Sequence, residues 1–196
     1  MQHAAVIAET RAWVDRVVIG LNLCPFAAAV QLRRQIRYVV CDATDETALL
    51  VALQGELVRL AGCDPTVTET TLLIHPKVLA DFDDYNQFLG DAEALLAGAG
   101  FEGVFQLASF HPDYRFAGTA SNAVDNSTNR SPFAMLHLLR EASVARAVAA
   151  FPDAATIFES NIRTLRGMGP QRLRELMAQC RRDALAGAAA GASSAA

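Results

Sequence analysis

The chain has 196 residues, 17 Lys+Arg against 21 Asp+Glu, and a formal net charge of -4. That length suits one domain with a core that needs neither disulfides nor metal, and the charge leaves no global field for nucleic acid. Lys77 is the only lysine, so arginine, the better bidentate partner for carboxylate and phosphate, carries the positive charge. Cys24, Cys41, Cys63 and Cys180 show no C-x-x-C spacing, which excludes a zinc knuckle and a thioredoxin motif. Glu9, Arg11, Asp15 and Arg16 interrupt the N-terminal apolar positions, so no signal peptide is expected. No apolar run approaches the roughly 20 residues of a membrane span. These features predict a cytoplasmic protein with free thiols and no membrane partner.

Val6, Thr10, Trp13, Val17 and Leu21 recur at helical spacing, predicting a first amphipathic helix. It stops near Gly20 to Asn22, and Cys24-Pro25 restarts a helix with proline at its first position. Ile36 to Cys41 is short and β-branched, hence a strand. Thr44 is placed to cap a helix bearing Leu49, Leu50, Leu53, Leu57 and Leu60. Thr70 to His75 reads as a second strand. Leu79 to Leu96 reads as a helix with Phe82, Tyr85, Leu89, Ala92 and Leu96 on one face, ended by Gly98 and Gly100. Val104 to Phe110 is a third strand. A loop from His111 to Arg130 follows, and loops of that length are usually functional or disordered. Ser131-Pro132 then opens a helix as N-cap and first residue. Asp153 caps another helix, which Gly167 and Gly169-Pro170 break, and a last helix covers Gln171 to about Leu185.

This order predicts an α/β fold: a small, mainly parallel sheet of three or four strands packed with helices, and a helical C-terminal part. Residues 1–185 form a single domain in this reading. Residues 186–196 are an Ala/Gly/Ser tail expected to be disordered.

Five phrases carry a resemblance: Leu23-Cys24-Pro25-Phe26, Glu69 to Pro76, Asp81 to Leu89, Gln106 to Gly118 and Thr128 to Glu141. Together they resemble the bacterial family catalogued as domain of unknown function 1415, over roughly Ala12 to Gly169. The resemblance implies a small bacterial protein and carries over no catalytic role.

The polar chemistry concentrates between Ser109 and Glu141. His111 stands at a strand end, where α/β sheets build their sites, and is the candidate general acid/base. Asp113 is placed to orient it; the competing reading is a turn closed by Asp113 on nearby backbone. A helix from Pro132 puts His137, Arg140 and Glu141 on one face at i, i+3 and i+4. His137 and Glu141 then have the spacing of a two-ligand metal site, or form a plain His–Glu pair. Arg130, just ahead of that helix, and its first-turn N–H groups are placed to hold an anion; the alternative is an ion pair to Asp125 or Glu141. Cys24 as N-cap has its thiol activated by the helix dipole, or is simply packed. His75-Pro76 ends its strand as His111-Pro112 does, so parallel neighbouring strands bring both histidines to one sheet edge.

These residues predict an enzyme, a hydrolase or group transferase, acting on a small anionic molecule. His111, Cys24, His137 and Glu141 are the catalytic candidates. Arg130, Arg140, Asn129, Arg115 and His75 are the substrate-binding candidates. Alternatives are a non-catalytic small-ligand or protein-binding module, and a metal-dependent enzyme using His111, His137 and Glu141. P-loop and G-x-S-x-G patterns are absent, and the cofactor is left unknown.

Overall fold

The structure, a computed structural model, describes residues 2–150 and 156–193. Six helices and four strands alternate along it. Helix α1 (His3–Trp13) continues through a π-helical segment, Val14–Ile19, and a short α2 (Ala27–Leu32) follows. Strand β1 (Ile36–Val40) leads into α3 (Glu46–Gly62), whose N-cap is Asp45 rather than Thr44; the Asp45 carboxylate accepts from the Ala48 N–H at 2.8 Å. Strand β2 (Thr70–Ile74) leads into α4 (Phe82–Gly98), capped by Asp81, and then β3 (Phe105–Phe110). The long loop contains one 3₁₀ turn, Val124–Thr128, before β4 (Met135–Arg140), α5 (Glu141–Ala150) and α6 (Ile157–Ser193). Asp153, expected as a cap, lies outside the described residues. The break expected at Gly169-Pro170 is a kink inside α6, with Gly169 at φ 78°. Helix α6 also takes in residues 186–193 of the Ala/Gly/Ser tail.

The α/β class, the four strands and the helical C-terminal part are as expected; the sense of the sheet is not. Its order is β1-β2-β4-β3. Only β1 and β2 run parallel; β4 pairs antiparallel with both β2 and β3. The expected helix from Ser131-Pro132 is therefore a central strand, and Ser131 turns its hydroxyl to the Phe133 carbonyl at 2.6 Å instead of capping. Burial on both faces explains the misreading. Leu136 and Leu138 point to one side, and Met135 to the other, all fully buried. A strand buried on both faces shows no alternation, and Met and Leu favour helix in isolation.

Two cores flank the sheet. On one face α3 (Leu49, Leu53, Leu57, Leu60) and α4 (Tyr85, Phe88, Ala92) close over Leu73, Leu136 and Leu138. On the other, α1 (Val6, Trp13) and α6 (Leu165, Leu173, Cys180) close over Leu72, Ile74 and Met135. Full burial of each such side chain contributes about 2 kcal/mol, so both helical layers are held chiefly by apolar contact.

Candidate functional site

Strands β2 and β3 are both antiparallel to β4, hence parallel to each other, and they end at the same sheet edge. His75 and His111 follow them there. The His75 N–H donates to the Ala134 carbonyl (3.0 Å) and the His111 N–H to that of Asn129 (3.2 Å). The Tyr85 ring stacks on His75 at 5.8 Å and lies 5.1 Å from His111, tilted by 32°. Its hydroxyl donates to the Met135 carbonyl (2.8 Å) and accepts from the Phe110 N–H (3.1 Å), pinning the β3 and β4 ends together.

The hydrogen bonds assign the imidazole protons. His111 Nδ1 accepts from the Asp113 N–H at 3.0 Å, so its proton sits on Nε2 and goes to the Leu79 carbonyl at 3.2 Å. Burial holds its pKa below the ordinary histidine value. Both ring nitrogens are thus occupied by backbone, and no lone pair faces a substrate. His75 donates from Nδ1 to the Val78 carbonyl (3.2 Å). Its Nε2 is buried with no hydrogen-bond partner among the described residues, and burial pushes the pKa down to about 4.

The other sequence candidates separate. His137 lies in mid-strand, in register with Leu72 and Ala108. Thr70 donates its hydroxyl to the Leu138 carbonyl (2.5 Å), so it accepts from His137 Nε2 at 2.7 Å. Burial lowers the His137 pKa to about 4. Because residues 135–140 are a strand, His137 and Arg140 project to opposite faces, and the i, i+4 ligand pair with Glu141 does not form. No three His, Cys, Asp or Glu side chains among the described residues converge on a metal position.

Arg140 pairs with Phe105 at the start of β3, while Met135 pairs with Phe110 at its end. Five residues of strand, about 17 Å, therefore separate Arg140 and Glu141 from the His111 edge. One Arg140 Nη contacts the Leu60 (2.7 Å), Cys63 (2.9 Å) and Thr68 (3.2 Å) carbonyls, capping the C-terminus of α3. The Arg140 guanidinium thus acts as a helix cap through one Nη, while its buried Nε has no hydrogen-bond partner among the described residues. Cys24 is not an N-cap. Helix α2 begins at Ala27 with Phe26 as its cap; Cys24 accepts the Ala27 N–H through its carbonyl (3.2 Å) and donates its own N–H to the Val18 carbonyl (3.4 Å). Burial raises the Cys24 thiol pKa, the opposite of activation, against a smaller lowering by the Phe26 and Ala27 backbone.

What gathers at the His111 edge is the long loop. Asn126, fully buried, accepts from the Phe116 N–H (3.1 Å) and Thr119 hydroxyl (2.7 Å) and donates to the Ala120 carbonyl (2.9 Å). Asn129 ties the loop to the Ser109 carbonyl (3.1 Å). Asp125 forms a two-bond pair with Arg166 of α6 (2.9 and 2.6 Å), which lowers its carboxyl pKa. Arg130 donates from Nε to the Tyr114 carbonyl (3.2 Å) and from one Nη to that of Ser121 (2.5 Å). Neither of the expected partners, Asp125 or Glu141, pairs with it.

Between this loop and the start of α4 lies a cleft of about 320 Å³, lined by Ala80, Asp81, Phe82, Asp83, Asp113, Arg115, Ser121 and Arg130. Most of its charge is already engaged. Asp81 caps α4 by accepting from the Asp83 (2.8 Å) and Asp84 (3.2 Å) N–H groups, and Asp83 pairs with Arg115 at 2.5 Å. Arg130 and Asp113 have no ion-pair partner among the described residues. Asp81, Asp83 and Asn126 are not among the residues that the sequence pattern singles out. The signal for Asn126 was present: three asparagines in a loop too long to stand without internal bonds.

The fold and cleft define a three-layer α/β protein with a polar depression at the ends of two strands. The family model described as Protein of unknown function (DUF1415) matches residues 5–175, and the chain belongs to that family. No curated protein and no solved structure matches it. No helix among the described residues is long and apolar enough to cross a membrane.

Proposed function

We propose that the protein binds a small anionic molecule in the cleft between α4 and the 111–130 loop, with Arg130 as its anchor. The observation that carries this is the state of Arg130. Two backbone carbonyls orient its guanidinium, it has no ion-pair partner among the described residues, and it lines a cleft large enough for a small ligand. Arg115 supports it from the same cleft, and Asn129 positions the loop that presents it. The unpaired carboxylate of Asp113 fits a hydroxyl or amine on the same ligand. A bacterial, cytoplasmic setting belongs to this reading; the four unpaired cysteines support a reducing compartment.

A second reading makes the cleft catalytic, in hydrolysis or group transfer. Asp113 favours it: its N–H is anchored on His111 Nδ1 while its carboxylate is left for acid–base work. His111 then acts as a positioning residue for Asp113.

Calorimetric titration with a panel of small carboxylates and phosphates tests both readings. Arg130→Gln is expected to weaken the best ligand by about ten-fold or more, the value of one charged hydrogen-bonded contact. Unchanged affinity in that variant would refute the anchor. In the catalytic reading Asp113→Asn abolishes turnover while anion binding survives.

A further inference from the structure

A second cleft, of about 300 Å³, lies where the end of α1, the end of α2 and the edge strand β1 meet. It is lined by Arg11, Gln31, Leu32, Arg34, Ile36 and Tyr38. Ile36 opens β1 in register with Thr70, which pairs with Leu139. This cleft is therefore near the sheet edge opposite His111 and shares no residue with the first.

The arginines here differ from their neighbours. Arg37 is consumed by two bonds to Glu56 (2.8 and 3.0 Å), and Arg16 by Asp183 (2.5 Å). Arg11 and Arg34 have no carboxylate partner among the described residues. The Arg11 guanidinium lies over the Tyr38 ring at 4.5 Å, a contact that fixes its plane without using its N–H donors. Tyr38 is held in turn: its hydroxyl donates to Gln31 Oε1 (3.0 Å), and the Gln31 amide donates to Asp15 (2.8 Å). Asp15 is thus the nearby carboxylate, and it is engaged by the amide. Arg34 stands at φ 59°, a conformation in which glycine or asparagine is the usual occupant. Leu32, 84% exposed, and Ile36 give the cleft an apolar wall.

We propose that this cleft is a second ligand site, taking a phosphomonoester with a small apolar or aromatic body. The phosphate sits between Arg11 and Arg34, and the body lies against Leu32 and Ile36. Two guanidiniums without an ion pair among the described residues match a group with three acceptor oxygens and more than one negative charge. A monocarboxylate offers two oxygens and bridges them less well.

Phenyl phosphate is the probe, titrated into the full chain with inorganic phosphate and benzoate as comparators. Calorimetry is read beside the arginine Nε–H resonances. The expected result is that phenyl phosphate shifts the Arg11 and Arg34 resonances and binds more tightly than either comparator. Arg11→Gln and Arg34→Gly each weaken the binding read at the remaining arginine resonance of this cleft about ten-fold or more, and Arg163→Gln, an exposed arginine that lines neither cleft, leaves it unchanged. Arg34→Gly keeps the fold, because glycine adopts the positive φ freely, so its loss of binding reports the guanidinium. Unaltered affinity in the Arg11 and Arg34 variants, or Arg11 and Arg34 resonances that phenyl phosphate does not shift, overturns the site. Benzoate or inorganic phosphate binding as tightly as phenyl phosphate overturns the ligand class.

Discussion

His75 shows how much one buried imidazole governs. It is fully buried, donates from Nδ1, and leaves Nε2 without an acceptor's partner. Protonating Nε2 places a charge beside Tyr85 and near His111, with nothing to receive the new N–H. Its folded pKa is about 4 against an ordinary 6.5. Between those values the unfolded chain takes up a proton that the folded chain refuses. Stability is therefore complete above about pH 6.5 and falls as the pH drops towards 4, by at most on the order of 3 kcal/mol from this residue. His137, also lowered to about 4, acts in the same direction. Urea denaturation of wild type and His75→Phe at pH 7.5 and 5.0 measures the effect: the variant loses less stability on acidification. Equal losses would assign the acid sensitivity elsewhere. Arg140 makes a second case. Replacing it with alanine uncovers the Leu60, Cys63 and Thr68 carbonyls at the end of α3, with an expected cost of about 2–4 kcal/mol. A loss under about 1 kcal/mol in the same assay would mean that water replaces the cap.

At the scale of elements, legibility followed residue type as well as burial: β2 is buried on both faces, yet its threonines and isoleucine mark it as a strand. Helices α3 and α4 announced themselves through single apolar stripes, and β1, β2 and β3 through short β-branched or aromatic runs between turn signals. Strand β4 did not, because Met135, Leu136 and Leu138 are buried on alternate faces and Ser131-Pro132 mimics a helix start. That one misreading removed the supposed His137–Glu141 pair and the helix N-terminus behind Arg130. The meeting of His75 and His111 was legible, though it arises through an intervening antiparallel strand and not through adjacency. The ordering of the 111–130 loop was not, since it depends on Asn126 finding three partners between Phe116 and Ala120. Asn126→Ala removes all three bonds and orphans the Phe116 N–H, for an expected loss of about 2–3 kcal/mol. Limited proteolysis should then cut between residues 111 and 130, where wild type resists. Anion affinity should fall with it, because Tyr114 and Ser121 orient Arg130. A variant that resists protease as wild type does would show that Asn129 and the Asp125–Arg166 pair suffice.

For the whole molecule, the question is what closes the α1 face of the sheet. The family match ends at residue 175, yet burial continues beyond it: Cys180 is fully enclosed and Ala184 is 4% exposed. Leu176 and Met177 pack on the same core, and Asp183 pairs with Arg16 of the π-helical segment. These contacts cover Val6, Trp13 and Val17, and the Trp13 indole N–H reaches the Arg130 carbonyl at 3.1 Å. The second half of α6 is thus coupled through α1 to the loop that presents the anion anchor. A chain ending at Glu175 loses the burial of those four apolar side chains, worth about 3–6 kcal/mol, and uncovers Trp13. A chain ending at Gly187 keeps every one of these contacts and is the reference. The shorter chain is expected to unfold at lower urea, to show red-shifted tryptophan emission from the single Trp13, and to bind anions more weakly at the first cleft. If it matches the longer chain in all three, the segment after 175 is dispensable and the α1 face is closed by Leu165 and Leu173 alone.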